Sequence, residues 1–479
     1  MMTTLLRWKK VKFAIIAVII LFLLSLFCSL QMQAVGWDEE IIYTGDGPFW
    51  QMEDVEYGGK QVDIDGHDEH DVNHVDASKL TIPHPIIMWW TPFSGERGEV
   101  KTCGNDRCFF TIDRHFHHHP NTSAFMFYGT DFKPDDVPVP RKPHHEWALF
   151  HEESPKNNYM LTHPECLTLF NHTATFKRNS DFPITTQYLK SLEDLESRKY
   201  LKTLEEKKRA GLAPVLYVQS DCNPPSDRDS YVQELMKHIR IDSYGACLHN
   251  KDLPQELTNP LTMFKSNFFE IVSKYKFTLA FENALCEDYV TEKLWRPLIA
   301  GSVPVYRGSP SVRDWLPDSH SAIVVDDYKS PKELADHLIY LDSNDEAYEK
   351  LLNFKKVGAT NPHLISTMKN REWGVNDYTR PNFIEGLECL VCNRLHQNLR
   401  AKKEGKSEIS HIAKPEHYAC PRPEAFSAKS RSSIQMYIEL HDEHAKRAKA
   451  LRELVESKTN FTSEQYSALV YKYLTGERN

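Results

Sequence analysis

The chain has 479 residues, with 58 Lys and Arg against 67 Asp and Glu, a net charge of -9, 41% hydrophobic and 26% charged residues. A mean hydropathy of -0.53 describes a globular body large enough for two or three domains, and excludes both a disordered chain and a polytopic membrane protein. The negative balance excludes broad electrostatic adhesion to nucleic acid, so an anionic ligand must be met by a local cluster of cations.

Residues 1–12 carry Arg7, Lys9, Lys10 and Lys12 and read as a cytoplasmic tail. Residues 13–30, FAIIAVIILFLLSLFCSL, hold no charge and are just long enough to cross a hydrocarbon core of about 30 Å. The flanking cations keep the N-terminus in the cytosol. A cleaved signal is the alternative, but the run exceeds a usual h-region and LQMQAVG is a poor cleavage pattern. A single-pass type II signal-anchor is therefore expected, with one N-terminal helix in the membrane. Residues 31–82, with DIDGHDEHDVNHVD at their centre, are acidic and lack core periodicity, and read as a solvated stem.

From residue 83 short apolar runs appear between turns: IIMWW (86–90), CFFTI (108–112), AFMFY (124–128) and WALF (147–150). They predict buried strands of a first α/β unit over 83–205. The charged stretch 189–211 predicts a helix ending at Gly211, near the boundary with a second unit over 206–375. There strands at 214–220, 277–283, 303–308 and 321–327 alternate with helices at 229–240, 291–300 and 330–342, the last opening on Ser330 and Pro331. Such alternation predicts a parallel sheet with crossover helices. Residues 376–479 read as an extension with a CLVC motif, a basic polar loop (399–417) and an amphipathic helix (431–457).

Nine cysteines follow Cys28, so at least one thiol is left over or pairs between chains. CLVC at Cys389 and Cys392 is half of a zinc knuckle, but no second CxxC exists and CGNDRC (Cys103, Cys108) is wider. Disulfides in an oxidising compartment are the better reading. Asn121, Asn171 and Asn460 open N-glycosylation sequons. HFHHHP (115–120) and HHEW (144–147) lack a fixed ligand spacing, so no metal site is expected.

Open parallel sheets bind ligands at the carboxyl ends of their strands. The loop after FTLAFEN concentrates Glu282, Asn283, Tyr289, Glu292, Lys293 and Arg296 at a helix start, and the loop after YVQS places Arg228 at another. A diphosphate needs fixed positive charge and free backbone N–H groups, which Lys293, Arg228 and the helix N-termini supply. Glu292 suits the two hydroxyls of a ribose. The competing reading makes Glu292 and Lys293 a surface charge pair and Asn283 a helix cap. Neither GxGxxG nor GxxxxGK[ST] occurs. Glu152 and Glu153 are adjacent on an extended segment and point to opposite faces, so they are not the facing carboxylates of a glycosidase. His151 beside them is either an acceptor contact or, the favoured reading, a satisfied structural histidine.

The segment FTLAFENALCEDYVTEKLWRPLIAGSVPVYRGSPSVRDWLP resembles closely the signature of the α-1,3-fucosyltransferase family, glycosyltransferase family ten: FEN, then DYITEK, then a VPV-x-x-G-x-P turn. FYGTDF, HEESP, LTLFNHTATFKRNSD and VQSDCNPPSDRDSY extend the resemblance over about residues 84–395, and HEESPKNNY and IDSYGACLHNKDLP are most similar to the subgroup numbered ten and eleven. The resemblance implies an α/β fold of the GT-B type, two Rossmann-like domains facing across a cleft. It implies inverting transfer of L-fucose from GDP-β-L-fucose, with no obligatory metal or cofactor. The implied acceptor is GlcNAc O3 of a glycoprotein glycan or a Ser or Thr of a folded module such as an EMI domain. Residue by residue, Glu153 matches the general base and Arg228 the arginine near the diphosphate. Tyr289, Glu292 and Lys293 match the nucleotide motif, Glu282 and Asn283 the donor-proximal FEN. Cys103, Cys108, Cys389 and Cys392 match cysteines that cross-link the two ends of the catalytic region. Residence in the Golgi or endoplasmic reticulum membrane, catalytic part lumenal, is implied with them. The alternative is a lumenal binding or chaperone-like protein that retains the fold without turnover. Its mark would be loss of the base or the cations, and Glu153, Arg228 and Lys293 are all present.

Overall fold

Strand β1 (Ile86–Thr91) buries all six of its residues, which a strand does only where both faces of its sheet are covered. In this computed structural model, which describes residues 80–93 and 98–476, it lies inside a seven-stranded sheet. The other strands are β2 (Glu99–Cys103), β3 (Asp106–Thr111), β4 (Thr122–Tyr128), β5 (Glu146–His151), β6 (His172–Thr175) and β7 (Phe182–Pro183). Their order is β2-β3-β1-β4-β5-β6-β7, and every pair is parallel except the β2–β3 hairpin. That hairpin turns on Gly104 at φ +65°, the left-handed value that the first position of a two-residue turn demands. The cytoplasmic tail, the anchor and nearly all of the stem lie outside the described residues. Among the described residues no helix is long and apolar enough to cross a membrane.

The helix expected over 189–211 is two helices, α1 (Leu192–Glu196) and α2 (Leu204–Arg209). The break follows from a second cap: Thr203 and Glu206 form a capping box that restarts the helix. Lys207 in α2 is buried, and its ammonium donates to the carbonyls of Ser273, Tyr275 and Gly301 at 2.6, 2.8 and 2.9 Å, fixing the linker to the second half. That half is a fully parallel sheet of β8 (Val215–Val218), β9 (Ile241–Tyr244), β10 (Phe277–Phe281), β11 (Val303–Arg307) and β12 (Ile323–Val324), in the order β9-β8-β10-β11-β12. Helices α3 (Arg228–Leu235), α4 (Glu292–Ala300) and α5 (Pro331–Ser343) pack on it through Val232, Leu294, Leu298 and Leu338. The alternation read from the sequence holds, with α3 and β12 shorter than expected.

The extension does not stand apart. Helix α6 (Phe383–Lys403), which runs into the expected loop, lays Ile384, Leu387 and Val391 on one face of the first sheet, against Ile87, Trp89 and Phe110. Helices α7 (Arg431–Glu456) and α8 (Ser463–Thr475) place Ala448, Leu451 and Tyr466 in the cluster on the other face, with Met88, Phe127 and Leu149. Residues 86–90 alternate between the two clusters, the period-two signature of a strand. Glu388 of α6 is buried, taking the Trp89 indole N–H at 2.8 Å and the Lys101 ammonium at 2.7 Å. Cys389 and Cys392, one turn apart on α6, close disulfides with Cys103 and Cys108 of the hairpin. Cys222–Cys247 and Cys286–Cys420 complete four bridges, leaving Cys166 free and buried, as an odd count requires.

The three sequons differ. Asn460 is exposed and Asn121 is exposed with its amide on the Ile82 carbonyl. Asn171 is half-buried and fully engaged: its oxygen accepts from the Trp147 N–H and from Arg141, and its amide donates to the His411 carbonyl at 2.8 Å.

Peptide mapping of the unreduced protein should recover the linkages 103–389, 108–392, 222–247 and 286–420, with Cys166 alkylated only after denaturation; a different pairing contradicts the arrangement. Glycopeptide analysis of the folded protein should find Asn171 unmodified, because its side chain is half-buried and engaged at both ends by Trp147, Arg141 and His411.

Candidate functional site

The strand order of the second sheet reverses between β8 and β10, and ligands of open parallel sheets bind at the carboxyl ends of the strands flanking such a point. The two loops singled out in the sequence leave the sheet there. Glu282 follows β10 directly and is fully buried; its two oxygens accept from the Thr291 N–H at 2.8 Å and the Thr291 hydroxyl at 2.7 Å. Thr291 is in turn the N-cap of α4. One carboxyl thus closes the loop 282–291 onto the helix that follows it. Burial pushes this carboxyl from its ordinary 4.5 up to about 7, against the pull of Lys293. A Cβ on Gly308 would stand 2.5 Å from the Glu282 Cγ, so the glycine of the VPVYRG turn is required by close approach.

Glu292, Lys293 and Arg296 are each at most 8% exposed. The surface-pair reading therefore fails: the Glu292 carboxylate sits 3.1 Å from the Lys293 ammonium and 3.6 Å from Arg296, inside the protein. Burial raises the Glu292 carboxyl, and the two cations outweigh it and hold it below the usual range. Arg296 also lies over the rings of Phe264 and Phe268. Lys293 and Arg296 line a small crevice with Val218 and Gln219, at the end of β8. Asn283 does not cap α4, since Thr291 does; its Oδ1 is buried with no hydrogen-bond partner in the protein.

Arg228 opens α3 and is 1% exposed. Its guanidinium donates to the Phe281 carbonyl at 3.0 Å and the Asp221 carbonyl at 2.7 Å, so it brackets the two loops from below. Tyr289 sets its ring on Phe176 of the first half at 5.0 Å. The loop 284–289 belongs to the core of that half: Ala284, Cys286 and Tyr289 sit in the cluster with Phe127 and Leu149.

From the first sheet, β5 delivers His151, Glu152 and Glu153 to the same junction. All three are buried, at 0, 1 and 6% exposure. Glu152 accepts from the Tyr128 hydroxyl at 3.3 Å and burial raises its carboxyl. The reading of His151 as a satisfied histidine is corrected: neither ring nitrogen has a partner, and burial holds the imidazole neutral, its value pulled down to about 3. Lys156, three residues past Glu153, pairs with Asp221 at 2.7 Å, which joins the Glu153 segment to the Arg228 loop. Arg178 grips Asp288 at 2.6 Å, and Lys177 pairs with Glu287 at 2.6 Å. Burial raises the Asp288 carboxyl, but the bonds from Arg178 and Ser311 keep it below the ordinary value.

Sequence reasoning missed the segment from residue 413 to 433, which straps the junction. The Tyr418 hydroxyl donates to the Glu153 carbonyl at 3.2 Å, Cys420 is bonded to Cys286, and the Phe426 N–H and the Ser433 hydroxyl donate to Asp227 at 2.8 and 3.0 Å. All three functional loops are held by it. Its proline-rich, low-periodicity sequence carries no local signal, and only Cys420 hints at a tie. Among the described residues, the two groupings with metal-ligand proximity, Cys108–Cys392–His396 and Cys222–Asp229–Cys247, each contain a disulfide whose sulfurs are not thiolates. His117 stacks on His118, His145 meets His144 edge-on, and both pack on Phe125.

Residues 83–188 match the family model described as "Fucosyltransferase, N-terminal", and residues 204–412 match "Glycosyltransferase family 10 (fucosyltransferase) C-term". The strap, α7 and α8 lie beyond both matches. "GDP-fucose protein O-fucosyltransferase 3" of Gallus gallus is 54% identical over 397 residues, covering 81% of this chain and 84% of that protein. The Homo sapiens protein of the same name is 50% identical over 398 residues, covering 81% and 83%. A solved "Crystal Structure of alpha1,3-Fucosyltransferase with GDP" aligns at 19% identity over 67% of this chain and 92% of its own, with a TM-score of 0.37.

The raised Glu282 carboxyl makes stability depend on pH with a definite sign. Between 4.5 and about 7 the folded state keeps a proton that the unfolded chain loses, so stability falls as pH rises through that window. The full penalty is on the order of 3 kcal/mol, since each tenfold difference in proton affinity between the folded and unfolded states is worth about 1.4 kcal/mol. Thermal melts from pH 4.5 to 8 should decline less steeply for Glu282→Gln than for the parent protein; equal slopes would count against the buried cap.

Proposed function

The chain belongs to the fucosyltransferases of glycosyltransferase family 10, with GDP-fucose as donor, and on that premise we propose that it transfers L-fucose, with inversion, to a Ser or Thr hydroxyl of a folded protein module. Support for a protein acceptor comes from the relatives at 50–54% identity, whose names specify protein O-fucosylation. The observation that carries the reaction site is the meeting of three loops: the Glu153 segment after β5, the Arg228 loop after β8 and the Glu282–Thr291 loop after β10, joined by the Lys156–Asp221 pair and by Tyr418. The two sheets are then the two halves of a GT-B arrangement, with donor and acceptor meeting between them.

In this reading the acceptor oxygen attacks the anomeric carbon from the face opposite the diphosphate. The carbon–oxygen bond to GDP breaks as the new glycosidic bond forms, and the acceptor proton passes to the Glu153 carboxylate, a general-base step worth typically ~10² to 10⁴-fold. Negative charge grows on the departing diphosphate, where Lys293 and the N-terminus of α4 oppose it. Glu292 is held ionised by Lys293 and Arg296, suited to accept from the ribose hydroxyls. Asn283 offers a buried oxygen without a protein partner, as a donor-contacting group would. Arg228 acts one step back, keeping the two donor loops in register. The N-terminal anchor, with the catalytic part in the lumen of the Golgi or endoplasmic reticulum, completes the proposal, and the four disulfides support an oxidising compartment.

Glu153→Gln is expected to lower fucose transfer by at least a hundredfold while GDP affinity, measured by calorimetry, stays within twofold; lost GDP binding would remove Glu153 from the base role. Lys293→Ala is expected to weaken GDP binding about tenfold, the scale of a charge-assisted hydrogen bond. The acceptor is tested by offering the protein GDP-fucose with either a folded EMI module or a GlcNAc-terminated glycan. Transfer to the glycan alone would overturn the protein reading.

A further inference from the structure

The strap and the three loops it holds enclose a slot lined by Pro155, Tyr159, Pro225, Leu285, Pro421 and Pro423. Its position along the chain is close to each proposed function: Pro155 lies two residues from Glu153, Pro225 three from Arg228, and Leu285 two from Asn283. We propose that this slot is an acceptor subsite that takes an apolar side chain of the polypeptide next to the reacting Ser or Thr, whose main-chain carbonyl accepts a hydrogen bond from the Tyr159 hydroxyl. The inference rests on the protein-acceptor reading above and specifies what that acceptor presents.

Three observations carry it. Four of the ten lining residues are prolines, which have no N–H to donate, and of the two charged ones, Arg422 and Glu424, the first commits its guanidinium to Asp442 at 2.7 Å. A sugar ring in the slot would find few partners for its hydroxyls, and each buried one left unpaired costs about 1–3 kcal/mol. The cavity is about 80 Å³, near half of the roughly 150 Å³ that holds a benzene molecule, which suits an aliphatic side chain and is too small for a hexose. Tyr159 is 3% exposed and its hydroxyl has no hydrogen-bond partner in the protein. Buried phenols almost always find one, so this hydroxyl marks where a ligand's polar atom belongs, and a peptide carbonyl is the acceptor that accompanies every side chain of a polypeptide. Cys420, which also lines the slot, is held in place by its bridge to Cys286.

The test uses the full-length protein, GDP-fucose and a folded EMI module. Tyr159→Phe, which keeps the ring, is expected to raise KM for the module three- to tenfold, and Leu285→Trp, which fills the slot, to raise it more than tenfold. In both, kcat and KM for GDP-fucose should stay within twofold. Tyr159→Phe with an unchanged KM for the module overturns the slot, as does either variant raising KM for GDP-fucose in place of that for the module. These failures are distinct from failure of the acceptor reading, in which the unaltered protein transfers fucose to the glycan and not to the module.

Discussion

The fold depends on one constraint: a parallel sheet buried on both faces must be covered on both. The first half builds such a sheet, yet between its described strands it has 3-10 turns and a single α-helical turn, Pro164–Leu167. The cover comes from the far end of the chain, α6 on one face and α7 with α8 on the other. Folding the first half therefore requires closure over nearly 300 residues. The two bridges from α6 to the hairpin, spanning 286 and 284 residues, sit where that closure occurs, and long loops are where cross-links constrain the unfolded chain most. Burying Glu388 between Trp89 and Lys101 adds a specific polar contact that favours one register of α6 on the sheet.

The same constraint explains how the site is built. Between α6 on one face and α7 on the other, the chain crosses beside the amino end of β6, where the His411 carbonyl takes the Asn171 amide and the Ala413 N–H donates to Phe170, and then runs along β6 past His417 to the carboxyl ends. That passage is the strap. It places Tyr418 on Glu153, Cys420 on the loop after Asn283, and Ser433 on the residue before Arg228. Cover of a hydrophobic sheet and rigidity of the reaction site are one structural solution. The buried charges follow the same logic. Glu282, Glu292, Lys293 and Arg228 are each paired or hydrogen-bonded within the loops, so a polar site survives inside the protein without isolated charges.

Most of the second half was legible in the sequence because its elements carry their own signals: a Ser-Pro start at α5, β-branched and aromatic runs at β10 and β11, and helices between them; the four-residue β9 and the helix Ser266–Val272 were not read. The four cysteines Cys103, Cys108, Cys389 and Cys392 and the FEN loop were legible through the family pattern. What escaped was masked by a neighbouring pattern, too short to read, or non-local. The capping boxes at Thr203 and Thr462 were present as T-x-x-E and T-x-x-Q, but the first lies inside a helical pattern that masks it. Strands β6 and β7 span four and two residues, below the length at which alternation can be read. The Glu292–Lys293 pair shows the limit most clearly: its spacing is that of any exposed helix, and only packing against Phe264, Phe268 and the end of β8 makes it a buried cluster.

Acceptor choice is the property that a shared catalytic core leaves open, since donor loops and base can serve a sugar or a protein hydroxyl alike. Discrimination then has to come from what surrounds the base, and here that surface comes in large part from residues beyond the family match ending at 412. Where it lines the slot, the strap sets Pro421 and Pro423 beside Pro155 and Pro225, a wall that offers shape and few hydrogen-bond donors. A glycan, which presents hydroxyls on every side, gains little from such a wall and loses solvation against it. A folded module presents a fixed loop with an apolar side chain and a carbonyl already in place, and loses little conformational freedom on docking. Rigidity on both sides is what makes this economical: the strap is held by a disulfide to the Glu282–Thr291 loop and by hydrogen bonds to the other two, so neither partner has to be ordered at the moment of reaction. In the proposed reading, selectivity for a folded protein over a free glycan follows from that match of two preformed surfaces, without any change to the carboxylate and cations to which the transfer is assigned.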